Sequence, residues 1–88
     1  MTPTLFFVAW RIDIYGAREW YDGSKVVGHD TTLDYVEAFQ FVTMREARAA
    51  AENLGSRPVF TSKHLPSHPE LWVLREGEDE LELLWTFT

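Results

Sequence analysis

The chain has 88 residues, 45% of them hydrophobic, and a formal net charge of −6. This length fits a single domain, residues 1–88, and the apolar content excludes intrinsic disorder, while the negative charge counts against direct binding to nucleic acid. Because cysteine is absent, no basic leader precedes the first apolar run, and no segment reaches the ~18 apolar residues of a membrane helix, we expect a soluble cytoplasmic protein.

The first predicted element is a strand that Gly16 ends. Apolar side chains recur at every second position on one face, and the opposite face begins apolar and becomes charged. The first face holds Phe6, Val8, Trp10, Ile12 and Ile14, and the second holds Leu5, Phe7, Ala9, Arg11 and Asp13.

The next region is predicted to contain a hairpin and a short strand. Asp22-Gly23 is a favoured two-residue turn, and it lies between the strand-prone flanks of residues 19–28. Residues 29–34 are polar and are predicted to form a loop. In residues 34–43 the second half is predicted to be a strand, because Tyr35, Phe39 and Phe41 share strand parity.

The clearest element is a helix over residues 44–54. Thr43 and Glu46 have the spacing of a capping box, and Gly55 supplies a left-handed stop. Its apolar stripe is built largely of alanine, so the helix should lie close to the surface that it covers. The stripe consists of Met44, Ala47, Ala50, Ala51 and Leu54.

Three further strands are predicted after the helix. The first is a strand of four to six residues within 57–64, and a proline-bounded loop follows at 65–70. Residues 71–76 and 80–88 are the other two strands, on either side of a turn at Gly77-Glu78-Asp79. The fold class is therefore α+β, with a meander-like antiparallel sheet of about five to six strands and one packed helix.

The apolar surface exceeds what one helix can cover. Thirteen aromatic side chains cannot all lie beneath an alanine-faced helix, so the second face of the sheet should meet another surface. The candidates for that face are Leu5, Phe7, Leu84 and one of Trp20 or Tyr21. This surplus predicts association with a partner, and we also expect a homodimer formed through a sheet face or edge.

Acidic residues concentrate near the C-terminus. Six acids and one arginine lie between Glu70 and Glu82, a local charge of −5. Strand alternation predicts that Glu80, Glu82 and Leu84 face outward, and that Leu81, Leu83, Trp85 and Phe87 face the core. A solvated hairpin explains such acids without any function. The predicted partner-binding residues are Glu76, Glu78, Asp79, Glu80, Glu82, Leu84, Leu5 and Phe7.

No catalytic, cofactor or metal site is predicted from a motif. His64 and His68 have the spacing of a helical metal pair, but Pro66 and Pro69 exclude the helix that would bring the two rings together. A small enzyme or metal-dependent module using these histidines and His29 is the alternative hypothesis.

The aromatic residues are interpreted as core rather than as a nucleic-acid stacking platform, because no basic groove accompanies them. They are Trp10, Phe6, Phe39, Phe41, Trp85 and Phe87.

The leading hypothesis is a non-enzymatic protein–protein interaction module without a cofactor. An inhibitor could offer its carboxylates to a basic, nucleic-acid-binding partner, since carboxylates imitate a phosphate array. In size and charge alone the chain resembles small acidic phage proteins that block host defence nucleases, including some anti-CRISPR proteins and DNA mimics. No residue motif assigns it to a family, and an accessory subunit of a larger complex is equally compatible with the sequence.

Overall fold

The computed structural model describes residues 3–24, 30–58 and 66–87. In chain order its elements are β1 (Leu5–Arg11), β2 (Arg18–Tyr21), β3 (Thr31–Thr32), a 3-10 helix (Tyr35–Glu37), α1 (Met44–Leu54), β4 (Arg57–Pro58), β5 (Pro66–Ser67), β6 (Glu70–Leu74) and β7 (Glu82–Thr86). Within these ranges no helix is long and apolar enough to cross a membrane.

The main sheet has five antiparallel strands in the order β3-β2-β1-β6-β7. β1 is the central strand, because β2 pairs with one of its sides and β6 with the other. A separate short ladder joins β4 to β5. With α1 packed on the sheet, the α+β prediction is confirmed.

The helix α1 lies where the sequence placed it, at residues 44–54. The hydroxyl Oγ1 of Thr43 accepts a hydrogen bond from the Glu46 amide at 3.2 Å, and Gly55 ends the helix with a positive φ of 68°. Ala47 and Ala51 are fully buried, so the helix backbone lies close to β1. Met44, however, is 44% exposed and does not belong to the core.

Trp10 is the centre of the core beneath α1. Its side chain is fully buried, and its indole Nε1 donates a hydrogen bond of 2.8 Å to the Gly55 carbonyl. The Arg57 guanidinium lies 4.3 Å from the centre of the indole ring and forms a two-point ion pair with Asp30, at 2.5 and 3.2 Å. The cluster beneath α1 comprises Val8, Trp10, Phe41, Ala47, Ala51 and Leu71.

The opposite face of the sheet is closed by the segment around the 3-10 helix. Asp34 caps that helix by accepting from the Val36 amide at 3.0 Å. The Tyr35 ring then lies edge-on to Phe7 at 6.4 Å and against Trp20 at 6.1 Å. The cluster on this face comprises Leu5, Phe7, Ala9, Trp20 and Ala38.

This cover corrects the prediction that Leu5 and Phe7 present an open apolar face. Both side chains are buried, and Phe7 is only 2% exposed. Trp20 does lie on the predicted second face, whereas Tyr21 packs against the α1 side. The residues of this face in β1, together with Trp20 of β2, are therefore covered by the chain itself.

The segment between β2 and α1 differs from the sequence prediction. The described partners of β2 are β1 on one side and Thr31–Thr32 on the other, and residues 25–28 of the predicted hairpin lie outside the described residues. The strand expected in residues 39–43 is a single bridge from Phe41 to Phe6, with hydrogen bonds of 2.8 and 2.9 Å. Most of the strand expected at 57–64 lies outside the described residues.

Replacing Ala51 by leucine should destabilise the protein. Ala51 has no exposed surface beneath α1, so the added atoms overpack the cluster around Trp10 and cost about 1–3 kcal/mol of unfolding free energy. Ala49 lies on the exposed side of the same helix, and Ala49→Leu should change that free energy by only about 0.5 kcal/mol. Urea unfolding of both variants measures the difference, and equal effects would contradict this placement of α1.

The Asp30–Arg57 pair should make stability depend on pH. The hydrogen bond from Arg57 holds the pKa of the Asp30 carboxyl below its usual range. The pair therefore stabilises the fold above the unfolded-state pKa of about 3.9, and this contribution is lost as pH falls through the lower folded-state pKa. We expect Asp30→Asn to cost about 1–3 kcal/mol at neutral pH, and the cost to shrink below about pH 4. A cost that stays constant in urea unfolding from neutral to acidic pH would refute this account.

Candidate functional site

The connection between β6 and β7 forms an acidic turn, residues 75–81. The Glu78 amide donates to the Arg75 carbonyl at 3.0 Å, and Gly77 has a positive φ of 80°, as the third residue of a type II turn requires. The tight turn therefore begins two residues before the predicted Gly77-Glu78-Asp79 turn.

The acidic turn carries half of the net charge of the chain. It contains four carboxylates and one guanidinium, a net charge of −3, against −6 for all 88 residues. All four acids are exposed: Glu76, Glu78, Asp79 and Glu80. Arg75 forms an ion pair with Glu82 at the start of β7, so the guanidinium neutralises that neighbour.

Glu70 does not belong to this acidic surface, although the predicted cluster included it. It is 6% exposed, and its Oε1 accepts from Arg18 Nε at 2.5 Å and from Trp72 Nε1 at 3.2 Å. Because its charge is paired inside the sheet, Glu70 offers nothing to a partner. The accessible carboxylates are confined to the turn and the beginning of β7.

An irregular register turns β7 away from the predicted alternation. Leu71 pairs with Trp85 and Trp72 pairs with Leu83, so Leu84 is the extra residue of a β-bulge. As a result Leu84 packs against the cluster beneath α1. The prediction that it lies exposed beside the glutamates is wrong, because Leu84 shares the α1 side with Glu82 and the cluster beneath α1 covers that side at Leu84.

The same bulge leaves two predicted core residues at the surface. Trp85 is 61% exposed and Leu83 is 41% exposed, whereas Phe87 and Leu81 are half-buried against the two clusters. Trp85 lies on the α1 side, as the partner of Leu71, and Leu83 lies on the opposite side, as the partner of Trp72. β7 thus shows a large apolar side chain on each face.

The other predicted core aromatics divide in the same way. Trp10 and Phe41 are buried and Phe6 is partly buried beneath α1, but Phe39 is exposed.

A shallow groove separates α1 from β7. This α1–β7 groove has a volume of about 250 Å³ and is lined by Met44, Arg48, Leu71, Leu84 and Trp85. Pockets that enclose small ligands typically measure about 300–1,000 Å³. The α1–β7 groove is smaller and mostly apolar, so it suits one side chain of a protein partner better than a metabolite.

The two edge strands of the sheet differ in how well they resist pairing with a strand of another chain. β3 forms one edge and has two residues, and a very short edge strand resists pairing with another chain. β7 forms the other edge with five residues, and no described strand pairs with its outer side. It contains neither proline nor lysine, so of the features that commonly prevent edge pairing it has only the charge of Glu82 and the bulge at Leu84.

The histidine hypothesis rests mainly on residues outside the described ranges. His29 and His64 lie there, so a site that includes them stays a prediction. Among the described residues no three His, Asp or Glu side chains are placed to hold a metal ion. His68 Nδ1 lies 3.0 Å from the hydroxyl Oγ of Ser56, a contact that the sequence did not suggest. No carboxylate in the described part of the chain hydrogen-bonds to His68 to complete a catalytic triad.

The sequence analysis did not predict which apolar side chains are exposed on and beside β7. Helical periodicity places Met44 in the apolar stripe of α1, and strict alternation along residues 80–88 places Leu83 and Trp85 in the core. The available signal was the run Leu83–Leu84–Trp85, since three consecutive apolar residues do not fit a strand with one wet face.

Comparisons with protein-family models, with curated proteins and with solved structures give no significant match. A function can therefore be inferred only from the geometry of β7, the acidic turn and the α1–β7 groove.

Trp85→Ser should leave the fold nearly as stable as the wild type. Most of the indole is already in water, so we expect the free energy of unfolding to change by less than about 1 kcal/mol. Leu71→Ala is the matched comparison, because Leu71 lines the same groove but is 1% exposed, and it should cost about 2–5 kcal/mol. Chemical denaturation measures both, and similar losses would place Trp85 in the core after all.

Proposed function

We propose that the protein is a non-enzymatic module that binds another protein, with the acidic turn directed at a basic surface. The observation that supports this most strongly is that the exposed carboxylates of the acidic turn lead into β7, where Leu83 and Trp85 are exposed and where no described strand pairs with the outer side. Charge and exposed apolar side chains thus follow one another along the chain. Protein interfaces commonly combine an aromatic anchor with a charged rim.

The charge distribution supports a basic partner. Half of the net charge lies in the acidic turn, and Arg75 is already engaged by Glu82. Such a localised charge accelerates and orients the encounter with an oppositely charged surface. A basic surface that normally binds nucleic acid would then be occupied by carboxylates, and the protein would act as an inhibitor.

Inhibition is one of two roles that an acidic binding module could have, and completion of a larger complex is the other. A subunit that completes a complex with a basic partner would need the same acidic surface as an inhibitor. The two roles differ because only the inhibitor prevents the partner from binding nucleic acid. Competition between the protein and a nucleic acid for the purified partner separates them. Displacement of the nucleic acid identifies an inhibitor, and joint binding identifies an accessory subunit.

The proposal predicts that carboxylates in the acidic turn matter more than other carboxylates. We expect Glu78→Lys with Glu80→Lys to weaken binding to the partner about tenfold or more, and added salt to weaken wild-type binding. The measurement is affinity capture from a lysate of the source organism, followed by titration of the identified partner.

The matched control is Glu46→Lys with Glu52→Lys, which changes the net charge equally at two exposed positions of α1. The control variant should bind nearly as the wild type does. Equal losses of affinity in the two variants would show that the acidic turn acts only through the net charge of the chain. An unchanged affinity in the Glu78/Glu80 variant would refute the acidic interface.

A further inference from the structure

We propose that β7 receives an extended segment of the partner as an added antiparallel strand. The segment is apolar where it passes Leu83–Trp85 and basic at its C-terminal end. This inference rests on the proposed function and specifies how the partner is held. Main-chain hydrogen bonds along an open edge supply affinity in such complexes, and alternate side chains supply specificity.

The backbone of β7 has groups available for this pairing. The Phe87 amide donates inward to the Pro69 carbonyl at 2.9 Å. Because successive residues of an antiparallel strand direct their backbone groups to alternate sides, the amide and carbonyl of Thr86 point to the open edge. An added strand can therefore bond to Thr86 without disturbing the β6–β7 ladder.

Side chains of the added strand find a contact on both faces of β7. On the α1 side, Trp85 and Met44 border the α1–β7 groove, which can receive one apolar side chain. On the opposite side Leu83 remains 41% exposed. A strand with apolar residues at consecutive positions would thus bury surface on both faces of the extended sheet.

The charges beside β7 determine where the partner segment should carry basic residues. β7 follows the acidic turn, so the C-terminal end of an antiparallel partner strand lies beside Glu78 and Glu80. Basic residues fit at that end, whereas the middle faces Arg48 on the rim of the groove and should carry no positive charge. Antiparallel pairing is also slightly more stable per residue than parallel pairing.

The same charges disfavour a second copy of the chain as the occupant. Two copies would bring together a net charge of −6 each, and neither copy offers a basic end to the other's acidic turn. The homodimer predicted from the sequence is therefore an alternative, and the experiment must distinguish it from binding of a partner segment.

The probe is a capped peptide of about ten residues, in which three consecutive valines stand between threonines and three lysines follow at the C-terminal end. We expect it to bind the full chain and to shift the backbone amide resonances of β7, including Thr86. The control peptide has the same composition with the lysines at its N-terminus, and it should bind about tenfold more weakly, a difference of ~1.4 kcal/mol.

The decisive variant is Thr86→Pro. Proline removes the outward amide hydrogen and is tolerated on the solvent side of an edge strand, so the fold should persist. We expect a loss of peptide affinity of about tenfold or more, whereas Thr86→Ala, which keeps the amide, should bind like the wild type. Amide spectra of both variants without peptide verify that β7 is still paired with β6.

Three results would overturn the addition of a partner strand to β7. Equal affinity in Thr86→Pro and Thr86→Ala, or amide shifts that avoid β7, would overturn strand addition. If that happens while Glu78→Lys with Glu80→Lys still abolishes binding to the natural partner, the acidic interface stands without it. A dimer in sedimentation that Thr86→Pro dissociates would make a second copy the occupant and would also overturn the proposal.

Discussion

The hydrogen bond from the Trp10 indole to the Gly55 carbonyl, 2.8 Å long, holds the structure together at its centre. Trp10 belongs to the central strand and Gly55 ends α1, so this bond sets the position of the helix along the sheet. Arg57 covers the outer face of the indole and binds Asp30, which leads into β3. One buried aromatic ring thereby positions the helix, the short β4–β5 ladder and the far edge of the sheet relative to one another.

The central strand also determines where apolar surface remains. β1 is apolar on both faces, so α1 covers one and the segment of Tyr35 and Ala38 covers the other. Both covers lie over β1 and its immediate neighbours. β7 is one strand farther out, where the alanine face of α1 no longer reaches, and Trp85 therefore stays largely in water. The candidate binding surface is a consequence of how the core is closed.

Local signals in the sequence predicted the parts of the fold that depend on local physics. The helix is an example, because Thr43 and Gly55 act within one turn of its ends. The alternation of β1 was equally readable. The pairing of β2 with Thr31–Thr32 was not, since the polar residues 29–34 give no local signal of a strand. The bulge at Leu84 brings this side chain against the cluster beneath α1, a tertiary contact that no local signal reports. The exposure of the acids was therefore predictable from the sequence, whereas the exposure of Leu83 and Trp85 was not.

The antiparallel pairing of β1 with β6 has a consequence for the order of folding. β1 lies near the beginning of the chain and β6 near its end, with β2, β3 and α1 between them. The central ladder must therefore close a loop that contains most of the chain, and the entropy of that closure is lost before the ladder can stabilise anything. Domains dominated by such long-range pairing fold slowly, in milliseconds to seconds rather than microseconds. During synthesis β1 has to wait for β6, and one of its two hydrogen-bonding sides remains unpaired until then.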